Sequence, residues 1–257
     1  MRILFVGDVV GRPGRDAVAA LLPKLRAELR IDLAIVNGEN AAGGAGLTTE
    51  TARELQASGA DVVTTGNHVW DQRQFAAEIE DLDFVLRPLN LPPNNPGRGS
   101  LAVKGALVVN AIGRTFMNPA DDPFRAMDDL LAARDADAPA VTILDWHAEA
   151  TSEKLAMGWH LDGRVTAVVG SHTHVPTADA RVLPNGTALV CDTGMVGPRD
   201  SILGMKTDVI VERFRTAMPK RFEVADGAVS FGSVLIDADD ATGKARSIER
   251  VDRVYGA

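Results

Sequence analysis

Cysteine is nearly missing from this sequence: Cys191 is the only one. A lone thiol excludes an intrachain disulfide and an all-thiolate zinc site, and it assigns Cys191 to the core as a small apolar residue. Aromatic residues are also scarce, at 5% of the chain. Trp146 and Trp159 are read as packing residues, not as base-stacking platforms. There is no excess of positive charge either. The net charge of −8 argues against a broad footprint for duplex nucleic acid, so no stable duplex binding is expected. An anionic substrate stays open, because bound cations can reverse the local field. No run approaches the length of a transmembrane span. The apolar stretch from Arg2 to Gly7 is interrupted by Asp8, too early for the core of a signal peptide, and no small-residue cleavage site follows. A cytoplasmic protein with no membrane association is expected.

The 257 residues, 46% hydrophobic and 24% charged, suffice to bury a core. Short β-rich runs alternate with amphipathic stretches. The expected strands are Ile3–Val6, Leu33–Val36, Val62–Thr65, Leu107–Ile112, Val141–Leu144, Val165–Val169 and Ala188–Cys191. The expected helices are Arg15–Arg30, which Pro23 should kink or break, then Thr51–Ser58, Asp71–Glu80 and Pro123–Arg134. Thr51 with Glu54 matches a capping box, and Asp71 with Gln74 comes close to one. This alternation predicts an α/β fold with largely parallel pairing over the first two-thirds. Beyond Lys206 a helix over Thr207–Thr216 should give way to mainly antiparallel strands at Phe222–Val224, Val229–Ile236 and Ser247–Val251, with turns at Asp226-Gly227 and Thr242-Gly243. The loop Arg87–Gly99, rich in Pro, Asn and Gly, is read as a surface excursion. No linker or repeat divides the chain, so one domain over 1–257 is expected.

The chemistry follows the strands. Asp8 follows the first, Glu39-Asn40 the second and Asn67-His68 the third. His147 follows Val141–Leu144, and His172-Thr173-His174 follows Val165–Val169. Ligand sites in open α/β sheets lie outside the carboxyl ends of strands, so these residues should gather at one sheet edge. Each motif has an ordinary alternative: Gly7-Asp8 as a turn, Asn67 as a helix cap, His147 as a core histidine. The ordered series of four histidines with carboxylates and amides is what points to metal. Oxygen and imidazole donors without thiolate suit Fe, Mn, Zn or Ni better than copper, and the histidines argue against a pure Mg or Ca cage. Two such ions polarise a phosphoryl oxygen and generate hydroxide, and a nearby histidine that is not a ligand can protonate the leaving oxygen. Asp192 is assigned to ordering the neighbouring turn or a ligand histidine. Arg114 and Arg199 are assigned to surface ion pairs, and Arg12 lies close enough to Asp8 to be a candidate for substrate contact.

These residues resemble the calcineurin-like metallophosphoesterase family, whose strand-end series runs Asp-x-His, Gly-Asp, Gly-Asn-His, a lone His and Gly-His-x-His. Asp8, Asn67-His68, His147 and His172-x-His174 match in order. Val10 stands where the family has the His of Asp-x-His, and Glu39 replaces the bridging Asp. Both departures resemble the YmdB-like branch, in which Glu bridges the metals and the following Asn replaces the missing His. The similarity extends to Asn37-Gly38-Glu39-Asn40, Asp192-Thr193-Gly194-Met195 and Pro219–Ala225. It implies two packed mixed β-sheets flanked by helices, in four layers. It implies two divalent or mixed-valence ions, Fe or Mn first and Zn or Ni next. One ion would be held by Asp8, Glu39, Asn40 and His174, the other by Glu39, Asn67, His147 and His172. His68 would protonate the leaving group. The implied substrate is a small phosphodiester, a 2′,3′-cyclic or 3′,5′-cyclic nucleotide.

Three alternatives remain at this stage. A phosphomonoesterase or phosphoprotein phosphatase would use the same ions. A metal- or nucleotide-sensing regulatory protein with vestigial turnover would accommodate Val10. An amidohydrolase-type barrel is disfavoured by the late His-x-His and the antiparallel C-terminal third. Assembly as a homo-oligomer is left open.

Overall fold

In the computed structural model, which describes residues 1–135 and 137–256, the first strand sets the layering. Arg2–Val6 is apolar from Ile3 onward because both of its faces are covered. Leu4 and Val6 enter a core with Val18, Leu22 and Leu25 of the helix Gly11–Leu29 and Leu55 of the helix Thr49–Ala57. Ile3 and Phe5 face the other way, into a core with Ile143, Val169 and Val190 of a second sheet. The far side of that sheet, through Leu144, Trp146 and Val168, packs on Met127 of the helix Pro123–Ala132 and Met157 of the helix Thr151–His160. The layers are therefore helix, sheet, sheet, helix, the α/β arrangement that the resemblance implies.

Both large sheets are mixed. In the first, Arg2–Val6, Leu33–Asn37, Val62–Thr64 and Val85–Leu86 run parallel, and Ser233–Ala238 and Ala245–Arg250 complete it antiparallel. In the second, Ala106–Ile112, Val141–His147, Ala167–Ser171 and Ala188–Val190 run parallel between the antiparallel edges Ser100–Val103 and Arg181–Val182. A smaller sheet joins Asp8–Val9, Met195–Pro198, Val229–Phe231 and Arg253–Tyr255. The chain passes from the first sheet to this one at Gly7, where a Cβ would lie 1.7 Å from the Gly194 carbonyl oxygen. Only glycine fits there, and the crossing places Asp8 opposite Met195.

Several local expectations are corrected. The first helix begins at Gly11 and runs unbroken through Pro23. An interior proline costs about 3 kcal/mol, but buried Leu22 and Leu25 each return roughly 1.5–3 kcal/mol, and packing wins. The capping box of the next helix is formed by Thr48 and Thr51, with Thr48 as N-cap. Helix over Asp71–Glu80 shrinks to Phe75–Glu78 and a 3-10 turn at Ile79–Asp81. Of the expected near capping box, Asp71 instead binds His68, and Gln74 stands at the N-cap without a side-chain cap hydrogen bond. The segment 222–224 contributes only an isolated bridge between Val224 and Met205. The expected strand Val229–Ile236 splits at Gly232 between two sheets. The helix Thr207–Thr216 is as expected. The loop 87–99 has an organised interior, because the buried guanidinium of Arg87 donates to the carbonyls of Pro88, Leu89, Asn95 and Pro96. No helix among the described residues is long and apolar enough to cross a membrane.

Candidate metal centre

The strand-end residues meet, but at the seam of the two large sheets instead of one edge. Glu39, Asn40, Asn67 and His68 come from the first sheet's loops, and Asp8 from the strand leading out of it. His147 is the last residue of Val141–His147, a strand three residues longer than expected, and His172 and His174 follow Ala167–Ser171. Asp8, Glu39, Asn40 and His147 are buried, while Asn67, His172 and His174 are half-buried.

One atom organises the cluster. His147 Nε2 lies 3.0 Å from Glu39 Oε1, 3.0 Å from Asn67 Oδ1 and 3.1 Å from His172 Nδ1. A single N–H cannot serve three partners. Outer contacts settle which nitrogens carry hydrogen. His147 Nδ1 donates to Ser171 Oγ at 2.9 Å, and the Ser171 hydroxyl donates to Asp145 at 2.6 Å. His172 Nε2 donates to Glu149 at 3.0 Å. His174 Nδ1 donates to the Leu203 carbonyl at 3.2 Å, leaving Nε2 facing Asn40 Oδ1 at 3.2 Å. The Asn40 amide nitrogen is occupied by the Gly44 carbonyl. Lone pairs of His172 and His174, two amide oxygens and Glu39 therefore face inward around His147 Nε2, and with the His147 proton lost they form a nitrogen and oxygen donor set that a divalent cation satisfies. Glu39, His147 and His172 offer ligand atoms all within 4.8 Å of one another. Gly66 makes the approach possible, since a Cβ there would lie 2.2 Å from Glu39 Oε2 and 2.3 Å from His147 Nε2.

The loop that carries the paired histidines is held in an uncommon shape. His172 and His174 have φ of +97° and +65°, a region that non-glycine residues occupy at a cost. Asp8 receives the His172 backbone N–H at 3.2 and 3.3 Å. Asp192 receives the Thr173 N–H and hydroxyl and the Gly194 N–H. Lys154, 2% exposed, donates to Asp192 at 2.7 Å and to the Ser171 carbonyl at 2.8 Å. The turn-ordering role expected of Asp192 is the one the contacts describe.

Burial drives the Asp8 carboxyl well upward; His147 pulls against this, while Asp192, Glu39 and Asp145 add to it. Burial pushes Glu39 upward too, but the charge and hydrogen bond of His147, aided by His68 and His172, bring it down to about 2. Burial works to lower His147, yet Glu39, Asp8 and Asp145 raise it to about 9. Burial and then His147 press His172 down to about 3. With protein charges alone, His147 keeps its proton at neutral pH, a proton that a bound cation would displace.

His68 sits at the rim, 36% exposed, its Nδ1 2.7 Å from Asp71 and its backbone N–H on Glu39. Val10 is fully buried beside Gly197 and Gly204 and serves packing. Trp146 and Cys191 are core residues. Trp159, by contrast, is 53% exposed beneath the Arg181 guanidinium, because its helix turns that face outward. Arg12 points to solvent near Asp16. Arg114 pairs with Asp122 as expected, whereas Arg199 has no ion pair among the described residues and lines a cleft beside His174. The sequence reading missed Asn37, Asp145, Glu149, Lys154 and Ser171. Asn37 and Asp145 left a usable signal, since a polar residue inside an apolar strand is the informative exception.

The family model described as YmdB-like protein matches residues 4–251. The chain belongs to the YmdB-like family. A relative from Bacillus subtilis (strain 168), named 2′,3′-cyclic-nucleotide 2′-phosphodiesterase, is 51% identical, covering 98% of this chain and 96% of its own. A solved structure from Thermus thermophilus superposes with a TM-score of 0.92 at 43% identity, covering 99% of both chains. A solved Mycoplasma pneumoniae structure described as a novel phosphatase also reaches 0.92, at 33% identity over 99% of this chain and 93% of its own. YmdB-like proteins are thus named as phosphodiesterases and phosphatases, and this chain shares their hydrolase fold throughout.

Proposed function

We propose that this YmdB-like chain is a two-metal phosphodiesterase that opens 2′,3′-cyclic nucleotides at the 2′ ester, with 3′,5′-cyclic nucleotides as a second substrate class. The observation that carries it is the inward convergence of lone pairs on His147 Nε2. One ion belongs with Asp8, Glu39, Asn40 and His174, the other with Glu39, Asn67, His147 and His172. These donors suit Fe, Mn, Zn or Ni, and the family resemblance puts Fe or Mn first. When bound, the ions supply Lewis acidity toward a phosphoryl oxygen and hydroxide at neutral pH.

The chain's own residues do the rest. His68, held at the rim through Nδ1 by Asp71, would in its imidazolium form pass the Nε2 proton to the departing O2′. One water is added, the P–O2′ bond breaks, and a nucleoside 3′-phosphate leaves. Asn40 takes the place that an imidazole at position 10 would fill, its amide turned by Gly44 so that only oxygen faces the site. Glu149, Ser171 and the Leu203 carbonyl fix the histidine tautomers.

The test is a panel of 2′,3′-cAMP, 3′,5′-cAMP, a chromogenic diester and a chromogenic monoester, with protein loaded with Mn²⁺ or Fe²⁺. Diester hydrolysis should vanish on chelation and fall about 10²–10⁴-fold in His68→Ala. Preference for the monoester would favour the phosphatase activity for which the Mycoplasma neighbour is named. A folded, metal-loaded preparation inactive on all four would sink the proposal.

A further inference from the structure

Beside the candidate metal centre lies an open cleft of about 660 Å³. His174 and Met195 form the wall nearest the centre, and Leu203, whose carbonyl orients His174, stands next to them. The volume falls within the ordinary range for a ligand site, yet a cyclic mononucleotide already has its phosphate committed at the metal ligands. The cleft is additional space that shares His174 with the site.

Its chemistry is uneven. The lining includes the apolar residues Val175, Pro176 and Val254, of which Val175 is 57% and Val254 46% exposed. It also holds cationic side chains. Arg199, Arg250 and Arg253 line it against a single acid, Asp252, on a chain whose net charge is −8. Two of these arginines are engaged. Arg250 is held by Asp252 at 2.7 Å and by the Thr193 carbonyl at 2.8 Å, and Arg253 by Glu28 at 3.1 Å. Arg199 is exposed, and its guanidinium has no partner among the described residues. One unpaired guanidinium among apolar lining residues, in an otherwise acidic protein, fits a phosphate attached to a flat heterocycle.

We infer that the cleft is a subsite for the penultimate nucleotide of an oligoribonucleotide ending in a 2′,3′-cyclic phosphate, with Arg199 on the bridging phosphate and Val175, Pro176 and Val254 against the base. This rests on the phosphodiesterase assignment of the adjacent centre. It adds a chain-length preference that the mononucleotide chemistry does not require.

Binding of product-type ligands tests it without turnover. Metal-loaded protein is titrated calorimetrically with adenosine 3′-phosphate and with the dinucleotide ApAp carrying a 3′-phosphate. The dinucleotide should bind at least about tenfold tighter, the size of one charge-assisted hydrogen bond. In Arg199→Gln the gap should shrink to about twofold or less, with an unchanged unfolding midpoint. Equal affinities in the wild type, or a gap that survives in Arg199→Gln, would overturn the subsite. So would a wild-type oligomer that dissociates in Arg199→Glu, since the cleft would then be covered by a second copy. The two assignments fail separately: hydrolysis of cyclic mononucleotides without a gap removes the subsite alone, and a gap without hydrolysis removes the activity alone.

Discussion

Lys154 and Asp192 form an ion pair of 2.7 Å, both almost wholly removed from solvent, directly behind the turn that carries His172 and His174. Removing one partner of such a pair strands the other and costs about 3–5 kcal/mol. Lys154→Met should therefore lower the unfolding midpoint by roughly 6–20 °C for a chain of this size. Because Asp192 also holds Thr173 and Gly194, the variant should bind less metal even below its midpoint. Thermal unfolding with metal analysis checks both; an unchanged midpoint would show that the pair does not hold the turn.

Gly66 predicts a cleaner lesion. A methyl group there would overlap Glu39 Oε2 and His147 Nε2, but the surrounding strands would be untouched. Gly66→Ala should retain its secondary structure by circular dichroism and lose most bound metal. Full metal occupancy in the variant would contradict the geometry.

Proton release gives a third measurement. His147 is raised to about 9 in the metal-free fold by Glu39, Asp8 and Asp145 acting against burial. It holds its proton at pH 7–8, and a metal ligand must give it up. Metal affinity should weaken about tenfold per pH unit below pH 9 and level off above it. The same proton stabilises the metal-free fold: the gain is complete below the ordinary histidine value of 6.5 and is lost as pH rises through about 9. Calorimetry in buffers of different ionisation enthalpy reads the proton count, and a count of zero at pH 7.5 would overturn the raised His147 value.

Glu149 fixes the His172 tautomer from outside the cluster. Loss of such outer partners typically weakens metal binding 10–100-fold. Glu149→Ala should show that loss, and Glu149→Gln, which keeps an acceptor, should recover much of it. Competition with a fluorescent chelator distinguishes the two.

The fold and the candidate ligands were legible for a shared reason. Strands covered on both faces leave near-continuous apolar runs, so their ends, and the polar residues placed there, stand out in the text of the chain. Asp8, Glu39, Asn67, His147 and His172 were visible in that way. Lys154 was not, because on a helix it looks like any solvated lysine until Asp192 arrives from 38 residues away. Glu149 and Ser171 act through single hydrogen bonds that no spacing encodes. The division of the site between two sheets was equally hidden, since strand order within sheets depends on long-range pairing such as Arg2–Val6 with Ser233–Ala238. Pro23 misled for the opposite reason: a local rule was overridden by the core beneath it.

That last pairing bears on how the protein is made. The opening strand has one neighbour about thirty residues on and its second more than two hundred residues downstream, and the first three strand-end loops reach the ribosome exit well before the three inward-facing imidazoles. A partly synthesised chain therefore displays carboxylates and amides without the nitrogens that select transition ions. Tight capture has to await His147, His172 and His174, all of which lie in the second half of the chain.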